Sequence, residues 1–296
     1  MDPPLSPFER SGMHFLPRRL VLPLGALLAA GTLASAFAGM PEGPTAHATS
    51  LRMTAAGTAT NAGKVHRWGL SQWHDGFTEA HLSRTWKVYR GTGAGGRGHY
   101  RPRQVNLQHG MLTINGAAGA SSGAAEVLDH GHPYGRWETR LRSKQYTTSG
   151  HPYRVVAALA PAGDRPRHCG AQEIDFSRFT IGSRQAHTEI RNLPNVLDYS
   201  AKRLDPRGWH DYAVEVTKTH ISWFVDGRVV MTDRRRAALS GLPLSVVFRL
   251  EATHDSGMRR SRMQMDWIRY YTLARGDSTS GLRAPAPHRS TYTGAC

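Results

Sequence analysis

Two carboxylates spaced two residues apart, Glu173 and Asp175 in Gln172-Glu173-Ile174-Asp175-Phe176-Ser177-Arg178-Phe179, are the residues of this 296-residue chain best suited to chemistry. In a β-strand alternate side chains share a face, so Glu173, Asp175 and Ser177 point one way and Ile174, Phe176 and Arg178 the other. Side by side and partly desolvated, two acids drive their pKa values apart, which is what separates a proton donor from a carboxylate nucleophile. The same pair also suits a solvated strand face, so the surroundings must decide.

The elements that would position these acids read as strands. From about Trp68 to Leu273 short alternating runs are separated by Gly, Pro, Asn and Asp, with no long helical periodicity. The expected strands are 105–114, 135–143, 153–159, 173–179, 185–191, 209–217, 220–225, 228–232, 244–251 and 263–272. Asp226-Gly227 between two of them is a type I′ hairpin signal, because both central residues of that turn need φ > 0. So many strands in one domain predict an all-β fold, a two-sheet antiparallel sandwich.

The ends read differently. Residues 1–38 form a leader: Arg18 and Arg19 precede an apolar stretch from Leu20 to Ala34, and Ala36-Phe37-Ala38 is a cleavage signal, so the expected protein is secreted and leaves no membrane segment after cleavage. An uncleaved anchor is the alternative for Leu20 to Ala38, which is close to the length that spans a bilayer. Residues 39–67, small and polar, read as a flexible linker, 68–274 as the globular domain and 275–296 as a flexible tail. Cys169 and Cys296 are the two cysteines; in an oxidising compartment they either pair or stay apart.

The formal net charge is +16, which favours anionic partners. The excess is almost all arginine, and the longest basic run is Arg234-Arg235-Arg236. With no basic-aromatic motif of a nucleic-acid binder, the charge reads as diffuse and nucleic acid is not an expected partner. The histidines lack paired metal spacing, so neither a metal nor another cofactor is expected.

A series of segments resembles glycoside hydrolase family 16, the laminarinase and lichenase group. It runs through Trp68, Asp75-Gly76-Phe77, Leu82-Ser83-Arg84-Thr85-Trp86-Lys87-Val88-Tyr89 and Gly110-Met111-Leu112-Thr113-Ile114. Further on come Tyr134-Gly135-Arg136-Trp137-Glu138-Thr139-Arg140, Glu173-Ile174-Asp175-Phe176, Trp209-His210-Asp211-Tyr212-Ala213-Val214-Glu215-Val216, Trp223-Phe224-Val225-Asp226-Gly227-Arg228 and Met265-Asp266-Trp267-Ile268-Arg269-Tyr270-Tyr271. The resemblance implies a concanavalin-like jelly roll with a polysaccharide cleft and, in an active member, endo-acting retaining hydrolysis or transglycosylation; a monomer is expected. It assigns Glu173 to the nucleophile and Asp175 to its supporting carboxylate. A calcium ion on the opposite side occurs in some relatives and has no support in this sequence.

The family motif ends in a second Glu, which a β-bulge in its longer form turns back into the cleft. Arg178 holds that position here, and Ser177 the position of the shorter form. Arginine keeps its proton and cannot be the general acid that retaining hydrolysis needs. A carbohydrate-binding protein without catalysis is therefore the alternative to a hydrolase. In Ala186-His187-Thr188-Glu189-Ile190-Arg191 the set His187, Glu189 and Arg191 shares a face. The resemblance puts that strand beside the motif, so Glu189 either substitutes for the acid or pairs with Arg178.

Residue type nominates Tyr134, Trp137, His151, Tyr153, Trp209 and His254 as sugar-contacting groups, with Arg178 and His187 beside them. Trp137 and Trp209 suit a core equally well. His151-Pro152-Tyr153-Arg154-Val155 stands where the family carries a tryptophan-rich run, and Arg154, Arg178 and Arg191 would suit an acidic polysaccharide.

Overall fold

The computed structural model describes residues 61–162, 172–192, 195–205 and 207–275. They lie in one compact unit, Met53–Cys296; the other unit, Met1–Arg52, lies outside the described residues. So do the leader with its cleavage signal, most of the linker, nearly all of the tail, and both cysteines.

In chain order the strands are β1 (Trp73–Asp75), β2 (Trp86–Val88), β3 (Gly91–Thr92), β4 (His99–Tyr100), β5 (Val105–Leu107), β6 (Leu112–Gly116), β7 (Ser121–Ser122), β8 (Ala124–Val127) and β9 (Gly135–Gln145). They continue as β10 (Arg154–Pro161), β11 (Gln172–Thr180), β12 (Gln185–Asn192), β13 (Asn195–Arg203), β14 (His210–Val216), β15 (Ile221–Val225), β16 (Arg228–Asp233), β17 (Leu244–Glu251) and β18 (Ser261–Tyr271). The first sheet runs β16-β15-β14-β9-β18-β6-β5 with β1 also on β18, and the second runs β13-β12-β11-β10-β17-β8-β2. All pairings in both are antiparallel. The expected two-sheet antiparallel sandwich is the observed fold.

The inner faces make one core. From the second sheet come Tyr153, Val155, Ala157 and Leu159 of the β10 segment, Ile174, Phe176 and Phe179 of β11, and Val246, Phe248 and Leu250 of β17. The first sheet answers with Trp137, Leu141, Tyr212, Trp223, Met263, Met265 and Ile268. The alternation predicted from sequence produces this: every second residue of a strand meets the facing sheet, and its neighbours form the outer face.

Two differences have local causes. The run expected as one strand over 105–114 is the hairpin β5–β6, turned by His109 and Gly110 at φ 54° and 67°. Residues 61–67, expected as the end of a linker, pack on the domain: the one-turn helix Ala62–Val65 is capped by Asn61, and Ala62 and Trp68 are buried with Phe224 and Tyr271 on the outer face of the first sheet. The Asp226-Gly227 turn has φ of 49° and 73°, as its sequence requires.

Candidate functional site

The outer face of the second sheet carries the charged residues of β11. Its pattern departs from simple alternation at one point. Ala157 of β10 faces Ser177 and Ala158 faces Asp175, so Phe176 is an extra residue. The β12 register shifts at the same place, between Asp175 and Arg178. This bulge turns Phe176 to the core and leaves Ser177 buried beside the Tyr212 phenol. Arg178 thereby joins Glu173 and Asp175, as the bulged form of the motif implied and against simple alternation, which put Ser177 on their face and Arg178 on the opposite one. Trp223 supports the distortion from the facing sheet, its indole N–H donating to the Asp175 carbonyl oxygen at 3.0 Å.

Around this bulge carboxylates and guanidiniums alternate. Arg249 of β17 grips Glu173 with both terminal nitrogens, Nη1 at 2.7 Å from Oε2 and Nη2 on Oε1. Its Nε donates to Glu251 Oε1 at 3.1 Å. Arg178 reaches three acids: Asp175 Oδ2 at 3.3 Å, Glu251 Oε2 at 3.2 Å and Glu189 Oε2 at 3.5 Å. Arg154, at the start of β10, stands 3.7 Å from Glu251 and is the more exposed partner. Glu189 thus pairs with Arg178. Beneath this layer Val156, Ala158 and Val247 form a small buried apolar floor.

The electrostatics follow. Burial pushes Asp175 well above the usual carboxylate range, the charges of Glu173 and Glu189 add to the push, and Arg178 only partly counters it. Burial also resists ionisation of Glu173, but the charge and hydrogen bonds of Arg249 outweigh it and hold Glu173 low. Arg249 is correspondingly raised by Glu173 and Glu251 against its own burial. A bidentate pair of this kind is among the stronger hydrogen-bonded contacts in proteins.

The aromatic candidates scatter. Trp137 is a core residue, and so is Tyr153, whose hydroxyl donates to Ala117 O at 2.6 Å. Both correct the expectation of sugar contact. Alternation explains Tyr153, since Arg154 takes the outward position. A Cβ at Gly116 would stand 2.6 Å from the Tyr153 ring, so glycine makes room for it. Tyr134 packs against the core with its carbonyl accepting from the Tyr270 hydroxyl. Trp209 lies against Arg140 and Arg142 of β9, on the first sheet and away from the Glu173 strand. His187 stays with the site, opposite Arg178 in register. His151 and His254 stack on one another with centroids 3.4 Å apart, both exposed, in the segments that lead into β10 and out of β17.

Sequence reasoning missed Arg249 and Glu251 as site residues. Their signal was present: in Phe248-Arg249-Leu250-Glu251 two charges alternate with two apolar residues on an expected strand. Tyr100 was missed too. It is buried near Arg249, Glu251 and Glu173, and burial pushes its phenol up to about 12. Along the sheet Tyr89 donates to Glu126 Oε2.

The two packed antiparallel sheets are a jelly roll, the fold that laminarinases also have. The laminarinase catalytic domain from Thermotoga maritima MSB8 has a similar structure: TM-score 0.57, 14% identity, 69% of this chain and 98% of that one covered. The laminarinase from Rhodothermus marinus gives a TM-score of 0.57 at 18% identity, covering 68% and 96%. A glycoside hydrolase family 16 endo-glucanase from Bacteroides ovatus gives 0.56 at 14%, covering 67% and 99%. No protein-family model and no curated protein matches the sequence.

Proposed function

We propose that this is an exported polysaccharide-binding protein that engages a glycan over the bulged strand of the second sheet without retaining hydrolysis. The carrying observation is that arginine holds each carboxylate facing Arg178 and Arg249. Retaining hydrolysis requires a carboxylate free to attack the anomeric carbon and a carboxylic acid about 5 to 5.5 Å away across the scissile bond. Glu173 keeps the nucleophile's position, but its oxygens are directed at the Arg249 guanidinium. Releasing them would uncover a nearly buried ion pair, whose disruption costs about 3–5 kcal/mol. Arg178 occupies the donor's position and cannot give up its proton at any ordinary pH. Asp175, whose carboxyl burial holds above the usual carboxylate range, is at 0% exposure and covered by Arg178.

The fold shared with laminarinases and an endo-glucanase supports polysaccharide as the ligand class, and the leader at 1–38 supports export. Hydrolysis is the second reading, favoured by Glu173 and Asp175 sharing one face with Glu189 beside them. The two readings separate in one experiment. The mature protein, Glu173→Gln and Glu189→Gln are incubated with neutral and acidic polysaccharides, and both new reducing ends and binding are measured. Binding without turnover is expected; turnover abolished by both substitutions would establish the hydrolase with Glu189 as its acid.

A further inference from the structure

The first sheet has an exposed outer surface of a different kind. On β9 the residues Arg140, Arg142 and Lys144 occupy successive outward positions, about 6.8 Å apart by strand geometry. On β18 Arg262 stands opposite Lys144 and Gln264 opposite Arg142. A bulge on β18, where Met265 faces Leu141 and Trp267 faces Arg140, adds Asp266 to this face and keeps Met265 and Ile268 in the core.

The cations rest on rings and amides. Arg142 lies 4.5 Å and Arg140 5.1 Å from the Trp209 ring centroid, and Lys144 and Arg262 lie 5.2 Å and 5.6 Å from that of Tyr146. Arg269 lies 4.0 Å from Trp267. Arg142 Nε donates to Gln264 and Arg262 Nε to Asn115, at 3.1 Å and 3.0 Å. The nearest carboxylates offset one cation of β9, Arg140, and leave the rest. Asp266 pairs with Arg140, while Glu138 and Asp211 are buried where Gly63 and Ala62 of the N-terminal helix donate to them.

We propose that this face binds a linear acidic polysaccharide, whose anions meet the row Arg142, Lys144 and Arg262. The identification of the anion carrier as a sugar chain rests on the polysaccharide-binding reading above; the charge row does not. Guanidiniums held by rings are pre-oriented and present their donor edges to planar carboxylate or sulfate groups. Because the cations already cover Trp209 and Tyr146, these rings are poorly placed to stack bases, as binders of single-stranded nucleic acid require. Among the described residues this surface is built from the strands β9 and β18 rather than from a helix that would enter a duplex groove.

The test measures binding of polygalacturonate, dextran sulfate, neutral glucan and single-stranded oligothymidylate to the mature protein. The same measurements are made on the triple variant Arg142→Gln/Lys144→Gln/Arg262→Gln and on Arg154→Gln of the other sheet. Both acidic polymers are expected to bind, and to be lost as salt approaches the range where the Debye length is about 3 Å. The triple variant should weaken them at least about tenfold and leave neutral-glucan binding unchanged. Arg154→Gln should leave the acidic polymers unaffected. If the triple variant melts early, Arg142→Glu alone is read in its place. Acidic-polymer binding indifferent to these substitutions, absent altogether, or weaker than oligothymidylate binding would overturn the proposal. Loss of neutral-glucan binding alone would overturn the reading of the second sheet and leave this one standing.

Discussion

The two outer faces of the sandwich both display arginine, and they use it in opposite ways. On the second sheet Arg178 and Arg249 are enclosed by Glu173, Asp175, Glu189 and Glu251, so the charge is consumed within the protein. On the first sheet Arg142, Lys144, Arg262 and Arg269 lie on rings and amides, so the charge remains available to a partner. Each face contains a β-bulge, and the added residue sets the local balance. The bulge of β11 brings a cation among acids, whereas that of β18 brings one acid among cations. A net charge of +16 therefore says little about a given surface until the pairing is known.

The sharpest way to break the contrast is to remove the clamp. Arg249→Leu takes the bidentate partner from the largely covered Glu173 carboxylate across the intervening β10, and should lower unfolding free energy by about 3–5 kcal/mol in denaturant melts. A loss under about 1 kcal/mol, the worth of an exposed pair, would show the two faces to be energetically alike. Next in size is the support behind the bulge. Trp223→Phe deletes the N–H that the Asp175 carbonyl accepts, and should cost about 1–3 kcal/mol by leaving that carbonyl short of a donor.

A third effect is read in pH. Glu173 is held below its ordinary value, so its contribution is present above that value and lost as pH falls through the lowered folded one. Asp175 is raised, so its contribution is present below its ordinary value and lost as pH rises through the raised folded one. Asp175→Asn removes the second loss. Its stability relative to the parent should improve as pH rises from the acid side, and parallel curves across denaturant melts would contradict the assignment. The smallest effect belongs to the first sheet: Arg142→Gln should change stability by no more than about 0.5 kcal/mol, being a surface substitution, while weakening retention on an acidic matrix.

How much of this was legible in the sequence depended on the kind of signal. Strand periodicity located β17 at 244–251 without error and β9, β10, β11, β12 and β14 to within two residues at each end. It missed β13, an edge strand that pairs with β12. Alternation cannot place a bulge, since one added residue exchanges the faces of all that follow. That is why alternation put Ser177 and Arg178 on the wrong sides. The same limit applies to aromatics: a tryptophan's type gives no face, and Trp137 and Trp209 went to the core and to the opposite sheet. Arg249 and Glu251 lie more than seventy residues from Glu173 in the chain, and only sheet order, β11-β10-β17, brings them together.

On the proposed function, arginine pairing withdraws Glu173 and its neighbours from hydrolysis while leaving a surface that binds glycan. The most direct test is release of reducing ends from a panel of β-glucans by the mature protein, measured against Glu173→Gln under identical conditions. The account predicts that both proteins release the same background amount, with binding to at least one glucan retained. Turnover by the parent that Glu173→Gln abolishes would contradict it.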